Sequence, residues 1–266
     1  MRSPWKDYGV WELATKIWVL VLGMAVGSFL NVCIFRVPRS LSLIHPPSMC
    51  PSCGTKIPFY HNVPVASYFW LKGRCRHCGS AISLRYPLVE LVSGLFAVSV
   101  FTRYGFSWES LFFFALVGAL LVITFIDIDH QIIPDVITYP GIGFGFVTSF
   151  FLGHITYIES LIGILFGGGI LLLVAWGYYV LTKREGMGGG DIKLLAMIGA
   201  FLGWKGVIFT MFAGSAIGTA VGVVVALRTG GGRKLAIPFG PFLSLGALLY
   251  LFYGSQLVGW YAAFMG

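Results

Sequence analysis

Residues 185–194 read Glu-Gly-Met-Gly-Gly-Gly-Asp-Ile-Lys-Leu, which puts the carboxylate of Asp191 behind a run of glycines and in front of an apolar segment. Residues 192–204 are apolar with small residues at helical spacing, which predicts a helix that begins near Asp191. Free N–H groups and the helix dipole stabilise a carboxylate at such a start. Taken alone, this pattern indicates either a helix cap or a functional acid.

The chain around this stretch is far more apolar than soluble domains are, with 57% hydrophobic residues, 11% charged residues and a mean hydropathy of +0.86. Runs of about 20 apolar residues are long enough to cross a bilayer. The sequence therefore predicts an all-α polytopic membrane protein with about eight transmembrane helices. The predicted spans are residues 17–35, 88–102, 110–128, 136–153, 158–181, 192–204, 206–227 and 237–264.

The distribution of Lys and Arg indicates the orientation of these spans. If residues 36–87 are cytoplasmic, most of the 18 Lys and Arg residues lie inside, as the positive-inside rule requires. The first apolar run has no small-residue cleavage site, so we expect a permanent span rather than a signal peptide. Both termini are then outside.

Residues 36–87 form the one sizeable polar loop, and four cysteines divide it into two Cys-x-x-Cys pairs. Two such pairs can surround one tetrahedral zinc ion, which would also fold a loop that has few aliphatic residues. Disulfides or redox-active dithiols are the alternative, which a reducing cytoplasm disfavours. Three histidines lie near enough to be rival ligands. The four predicted ligands are Cys50, Cys53, Cys75 and Cys78, and the rivals are His45, His61 and His77.

The same loop carries an aromatic cluster that has two possible roles. Aromatic side chains at a membrane protein's loop can lie at the bilayer interface, or they can supply a small core. We expect the core role here, because the loop has little other apolar material. The residues concerned are Phe59, Tyr60, Tyr68, Phe69 and Trp70.

A second acidic cluster lies at the predicted inner end of the third span. Asp127 and Asp129 are two residues apart, so they point roughly 200° apart on a helix and cannot both face the bundle interior. Asp135 follows a proline and suits a helix cap, and we expect Asp129 and His130 to be solvated. Asp127 is therefore the candidate interior acid. Residues 136–153 and 158–181 would cross the membrane out and back, which returns Asp191 to the face that holds Asp127.

Two aspartates at one membrane edge, with no His or Ser placed to make a nucleophile, favour aspartic protease chemistry. One carboxylate activates a water molecule while the other donates a proton to the scissile carbonyl. Asp191 begins a helix and Asp127 ends one, so we assign the anion to Asp191 and the acid to Asp127 as a hypothesis. A coupled pair titrates as one unit.

Several motifs resemble known families. Residues 188–191, Gly-Gly-Gly-Asp, resemble the GxGD motif of intramembrane aspartic proteases, and Asp127 fits the partner position. Nearly the whole chain resembles the bacterial type IV prepilin peptidases. That resemblance rests on Gly27-Ser28-Phe29-Leu30-Asn31-Val32, the paired Cys-x-x-Cys loop, Arg85-Tyr86-Pro87-Leu88-Val89-Glu90, residues 186–193 and Ile237-Pro238-Phe239-Gly240-Pro241.

The resemblance implies a bifunctional enzyme of the bacterial inner membrane. Such enzymes cleave the basic leader of prepilins and type II secretion pseudopilins at the cytoplasmic face, after a glycine. They then methylate the new N-terminal residue with S-adenosylmethionine. We expect prepilin and pseudopilin substrates, membrane lipid and no nucleic-acid partner. The implied domains are a first helix (1–35), a zinc loop associated with methylation (36–87) and a membrane domain with the peptidase site (88–266).

The implied site residues fall into three groups. Asp127 and Asp191 are catalytic, and Gly188, Gly190 and Lys193 form the peptidase-site loop. No glycine-rich strand-to-helix turn for a nucleotide is present, so the methyl donor must bind in another way. The candidates for that region are Asn31, Arg36 and Glu90, although Glu90 alternatively forms a structural ion pair with Arg36 or Arg85.

Three other functions remain open on the sequence. A transporter also places acids near broken helices, but it has no need for a paired Cys-x-x-Cys loop. A structural assembly protein could use that loop for docking and the acids as caps. A peptidase with an inactive methyltransferase half is the third alternative.

Overall fold

The computed structural model describes residues 5–151, 153, 155–184, 188–229 and 237–265, and helices dominate this part of the chain. Its regular elements are all helical, with two isolated β-bridges in the loop after the first helix. Residues 185–187 of the glycine-rich stretch lie outside the described residues. The helices are α1 (Trp5–Arg36), α2 (Ala66–Trp70), α3 (Arg85–Tyr104), α4 (Trp108–His130), α5 (Asp135–Thr148), α6 (Tyr157–Thr182), α7 (Gly189–Thr229) and α8 (Gly240–Met265), with short 3-10 turns at Val37–Arg39 and Phe59–His61.

Five of the described helices are long and apolar enough to cross a membrane: α1, α3, α4, α6 and α7. The chain is therefore a multi-pass membrane protein, and the predicted fold class is confirmed. The number of eight spans stays a prediction, and α8 overlaps the span predicted at residues 237–264.

The two spans predicted at residues 192–204 and 206–227 are joined in α7, whose path is broken at Gly203. Gly203 has φ 68°, a left-handed conformation that glycine adopts without steric cost. A Cβ atom on Gly199 would lie 2.9 Å from Val207 Cγ2. A straight helix would separate residues eight apart by about 12 Å. The chain therefore turns sharply at Gly203, which divides α7 into two arms.

Helix α5 is shorter than the span predicted at residues 136–153. It has 14 residues, contains Pro140 and ends at Thr148. At 1.5 Å per residue it is about 21 Å long, which is less than a bilayer core requires. Helix α5 is therefore shorter than the predicted span, and the out-and-back crossing before Asp191 stays a prediction.

The chain divides into two compact units, residues 1–122 and 123–266. In the first unit α1 packs on α3. A Cβ atom on Gly27 would lie 2.7 Å from the Cα atom of Glu90, and one on Gly23 would lie 2.9 Å from the Cα atom of Gly94. The Ser93 hydroxyl donates to the Gly23 carbonyl at 2.8 Å. The small residues of α1 therefore serve close helix packing, as small-residue motifs in membranes do.

In the second unit α7 packs on α5, α6 and α8. Gly163 of α6 and Gly199 of α7 lie backbone to backbone, because a Cβ atom on either residue would collide with the carbonyl group of the other. The Ser160 hydroxyl donates to the Ala200 carbonyl at 2.7 Å and fixes the same pair of helices. This packing fixes the beginning of α7, where Asp191 lies.

Three of the five aromatic residues of the loop are exposed, so the expectation that they form its core is wrong for these three, and the side chain of Phe59 lies outside the described residues. Phe69 is 71% exposed and Trp70 is 83% exposed, and Tyr60 is also exposed. Tyr68 is half-buried, and its ring lies against Gly73. The loop is instead organised around its cysteines.

Candidate active site and metal centre

The two Cys-x-x-Cys segments have the same backbone structure, repeated after 25 residues. The N–H group of Cys50 donates to the Thr55 carbonyl at 3.0 Å, and that of Cys75 donates to the Ser80 carbonyl at 2.8 Å. Both segments also turn through a glycine in the left-handed region, at φ 68° for Gly54 and 72° for Gly79. Each segment is therefore a tight turn that holds two sulfur atoms on one side.

The four predicted ligand cysteines come together in one cluster. The Sγ atoms of Cys50, Cys53, Cys75 and Cys78 all lie within 4.8 Å of one another. The backbone N–H groups of Cys53 and then Ser52 lower the pKa of the Cys50 thiol to about 6, which favours the thiolate that binds metals. The cluster can therefore hold a metal ion.

The remaining cysteine, Cys33, and one of the rival histidines, His61, have surroundings of their own. Cys33 is buried in α1, in keeping with a packing role. The ring of His61 interacts through Nε2 with Arg76 at 3.3 Å. Among the described residues, the one group of side chains with metal-site geometry is the set of four cysteines.

The three candidate methyltransferase residues lie near the junction of α1, α3 and the loop, but each has its own partner. The Asn31 amide donates to the Tyr86 carbonyl at 3.0 Å. Glu90 Oε2 accepts from the Val65 N–H at 2.7 Å, and Glu90 also interacts with the Ser28 hydroxyl. Arg36 donates to loop carbonyl groups at Ser42 and Pro46. Arg36 therefore stabilises the start of the loop, because its guanidinium group donates hydrogen bonds to two backbone carbonyl oxygen atoms.

Asp127 lies in the last turn of α4 and is 5% exposed, whereas Asp129 is exposed. The Oδ2 atom of Asp127 accepts a hydrogen bond of 2.9 Å from the N–H group of Gly240, the first residue of α8. A Cβ atom on Gly240 would lie 2.6 Å from that oxygen. Residue 240 must therefore be glycine for the backbone to approach the carboxylate this closely.

Asp191 is the third residue of α7 and is half-buried, and it interacts electrostatically with Asp127. Ile133 lies between the glycines that accompany the two acids. A Cβ atom on Gly190 would lie 2.8 Å from Ile133 Cβ, and one on Gly240 would lie 3.2 Å from Ile133 Cδ1. The beginnings of α7 and α8 thus meet the end of α4 around one isoleucine.

Lys193 forms an ion pair with Asp135, and its ammonium group lies 5.3 Å from the centre of the Tyr139 ring. Asp135 is the first residue of α5, whose N-terminal cap is Pro134 without a side-chain hydrogen bond. The expectation that Asp135 caps α5 is therefore wrong, because its carboxylate binds Lys193. Gly188 is exposed, and a Cβ atom there would lie 3.8 Å from Asp191 Oδ2.

Two contributors to this site were missed by the sequence reasoning. The Pro-Phe-Gly-Pro break before α8 indicated an irregular helix start, but no local pattern links Gly240 to an aspartate 113 residues earlier. The partnership of Asp135 and Lys193 spans 58 residues and is equally invisible to local spacing.

Comparison with known proteins assigns the chain to a family. Residues 21–104 match the Bacterial Peptidase A24 N-terminal domain, and residues 113–223 match the Type IV leader peptidase family. A relative from Pseudomonas aeruginosa is 35% identical over 96% of each chain. The chain belongs to the type IV leader peptidase family.

Members of the type IV leader peptidase family from other bacteria give the same result. A relative from Aeromonas salmonicida is 35% identical over 91% of this chain and 92% of its own. One from Myxococcus xanthus is 40% identical over 80% of this chain and 64% of its own. All three relatives are named prepilin leader peptidase/N-methyltransferase. No solved structure matches the chain.

Proposed function

We propose that this chain removes the leader peptide of type IV prepilins and pseudopilins and then N-methylates the new N-terminal residue. The observation that carries the proposal is that the end of α4, which holds Asp127, and the beginning of α7, which holds Asp191, come together around Ile133 and the first residue of α8. The names of relatives at 35% identity over more than nine tenths of the chain support it. We place the enzyme in the bacterial inner membrane, with its site and its cysteine loop towards the cytoplasm, because that orientation obeys the positive-inside rule.

In the proposed cleavage step the two aspartates share one proton. The ionised carboxylate takes a proton from a water molecule, whose oxygen attacks the scissile carbonyl carbon, while the protonated carboxyl group donates to the carbonyl oxygen. The resulting tetrahedral intermediate then breaks its C–N bond as a proton reaches the leaving amine. Two like charges in close proximity disfavour double ionisation, so one shared proton is the stable state.

The Gly240 N–H changes the assignment of roles within the pair. It holds Oδ2 of Asp127 and stabilises negative charge there, and it leaves Oδ1 for the substrate or the water. Asp191 lies in the first turn of α7, where the helix dipole also favours an anion. Position at a helix end therefore no longer distinguishes the base from the acid, and we treat the pair as one titrating unit.

The glycine stretch before Asp191 suits an extended peptide. Gly188 and Gly189 are exposed, and Gly189 has open space where a side chain would lie, so a substrate backbone could approach them closely. A prepilin is a membrane helix with a basic leader at its inner end. Such a leader would be attracted to the two aspartates and would bring the scissile bond to their depth.

We propose that the four-cysteine cluster holds a structural zinc ion. Tetrahedral zinc with Zn–S bonds of about 2.3 Å requires sulfur atoms about 3.8 Å apart. The Sγ atoms of Cys50 and Cys78 are 3.8 Å apart, which fits. With all four positions taken by sulfur, the ion would stabilise the loop rather than bind a substrate.

For the methyl transfer, S-adenosylmethionine would supply an electrophilic methyl group on a cationic sulfur. Glu90 is a buried carboxylate beside the loop, which suits a cationic donor. Asn31 lies on the neighbouring helix, and both residues remain our candidates. Arg36 is the weakest of the three, because its guanidinium group already binds two carbonyl groups.

A cleavage assay on a purified prepilin tests the proposal. We expect Asp127→Asn and Asp191→Asn each to abolish leader removal, because an amide can neither activate the water nor share the proton. Asp129→Asn is the matched control, since Asp129 is an exposed acid two residues away, and it should cleave normally. The mature product should gain one methyl group in the presence of S-adenosylmethionine. Cleavage that survived either of the first two replacements would favour a structural or transport role for these acids.

A further inference from the structure

The short helix α2 is tied to the beginning of α3. The N–H group of Val65, the residue before α2, donates to Glu90 Oε2 at 2.7 Å. Glu90 is the sixth residue of α3, which is long and apolar enough to cross a membrane. Five steps of 1.5 Å put Glu90 about 7.5 Å along that helix. The loop backbone thus reaches the second turn of a candidate membrane span.

The backbone at Val65 indicates that this attachment is a fixed feature of the loop. Val65 has φ 60° and ψ −50°, a conformation that costs free energy for a β-branched residue. Such a conformation persists only where surrounding contacts determine it. The hydrogen bond to the buried Glu90 is one such contact, and it attaches the residue before α2 to the second turn of α3.

The side chains that α2 and the following residues present are aromatic and then basic. Phe69 is 71% exposed and Trp70 is 83% exposed. Lys72, Arg74 and Arg76 follow within six residues of Trp70, and all three are exposed. Residues 37–86 contain no Asp or Glu, so no acid of the loop itself opposes them.

We propose that Phe69, Trp70, Lys72, Arg74 and Arg76 form an interfacial face that lies in the headgroup region of the membrane that α1 and α3 cross. Trp and other aromatic residues prefer that depth, and Lys and Arg next to them attract anionic lipids. The loop is attached at both ends to candidate spans, which keeps this face beside the bilayer. A basic leader peptide is an unsuitable occupant, because the face carries the same sign of charge.

Photocrosslinking of the full chain tests the proposal. The Trp70→p-benzoylphenylalanine variant is reconstituted in vesicles of phosphatidylcholine and phosphatidylglycerol and irradiated, and the mass of the protein is then measured by mass spectrometry. We expect a mass increase of one phospholipid at position 70. Ser52→p-benzoylphenylalanine is the control, since Ser52 is an exposed residue of the first Cys-x-x-Cys turn, and it should gain no lipid. Equal metal content in the two variants reports that the loop is folded in both.

Two further variants separate the parts of the proposal. Adding Glu90→Leu to the position 70 variant removes the acceptor for Val65 and should lower the lipid adduct, whereas Glu90→Gln keeps an acceptor oxygen and should retain it. Replacing phosphatidylglycerol by phosphatidylcholine should also lower the yield, because the basic residues lose their anionic partners. An adduct with added prepilin and none with lipid would overturn the proposal, as would equal lipid adducts at positions 52 and 70.

Discussion

The cysteine loop and the aspartate pair are held by different kinds of contact. In the loop, each Cys-x-x-Cys turn is closed by backbone hydrogen bonds between residues about five apart, and the second turn repeats the first after 25 residues. At the aspartate pair, α4, α7 and α8 meet through Ile133 and through a hydrogen bond that spans 113 residues. The first region is held by local geometry that places four sulfur atoms where they could hold a metal ion, whereas the second depends on helix packing.

This difference means that each region should fail in its own way. Damage to a turn or a ligand in the loop should release the metal and leave the aspartates paired. Damage to the contacts around Asp127 should stop cleavage and leave the metal in place. The following changes test that separation, beginning with the largest expected effect.

Cys50→Ser should remove the metal and unfold the loop, because structural zinc binding supplies about 10–16 kcal/mol in small domains. Metal analysis of the purified protein and limited proteolysis of residues 36–87 measure both effects. We expect methylation to suffer at least as much as cleavage. Cys33→Ser is the matched control, since Cys33 is buried in α1 outside the cluster. Full metal content in Cys50→Ser would show that the four-thiolate assignment is wrong.

Gly240→Ala should lower cleavage by about 100-fold, the size of effect expected when a reacting group is displaced by about 1 Å. The added Cβ atom would lie 2.6 Å from Asp127 Oδ2, so the carboxylate or the start of α8 must move. Cleavage kinetics measure the loss, and metal content should not change. Gly143→Ala is the control, because a Cβ atom on Gly143 has no neighbour within 4 Å. Normal cleavage by Gly240→Ala would contradict the placement of this N–H in the site.

Gly54→Ala and Gly79→Ala should weaken metal binding about equally. Each residue has a left-handed conformation, at φ 68° and 72°, which costs a residue with a side chain about 1–2 kcal/mol, or roughly tenfold in affinity. A Cβ atom has open space at both positions, so backbone strain alone should account for the loss of metal affinity. Competition with a chelator measures the affinities. Strongly unequal losses would argue against equivalent turns.

Lys193→Ala and Asp135→Asn should each have a small effect. Their ion pair is partly exposed, with Asp135 at 57%, and such pairs contribute about 1 kcal/mol or less. We therefore expect kcat/KM for cleavage to fall by no more than about fivefold in either single variant. In the double variant kcat/KM should fall no further than in one single variant, because both replacements remove the same ion pair. A much larger loss of kcat/KM in Lys193→Ala than in Asp135→Asn would mean that Lys193 contacts the substrate and that its ion pair with Asp135 is not its main role.

The same difference explains what the sequence could predict. Helical class, membrane location and the cluster of four cysteines follow from local features: apolar runs, Cys-x-x-Cys spacing and a glycine after each pair. Asp127 was selected because only one face of a helix can be buried, and it is buried. The family resemblance agrees with the family that the comparisons assign.

The errors concern features that tertiary contacts decide. The sequence neighbours of Asp135 are typical of a helix cap, but in the structure its carboxylate forms an ion pair with Lys193 of another helix. The length of α5 depends on packing against neighbours, and apolar content alone does not reveal it. The break at Gly203, by contrast, falls close to the boundary predicted between the spans at residues 192–204 and 206–227. Phe69 and Trp70 are exposed because the loop is organised by its cysteines, which removes the need for an aromatic core.

The central claim is that the aspartate pair carries out cleavage and that methylation does not depend on it. The most direct measurement compares Asp127→Asn and Asp191→Asn on two substrates: an intact prepilin, and a pilin whose leader has already been removed. We predict that neither variant cleaves the first substrate and that both methylate the second in the presence of S-adenosylmethionine, with unchanged metal content. Cleavage of the intact prepilin by either variant would contradict the claim.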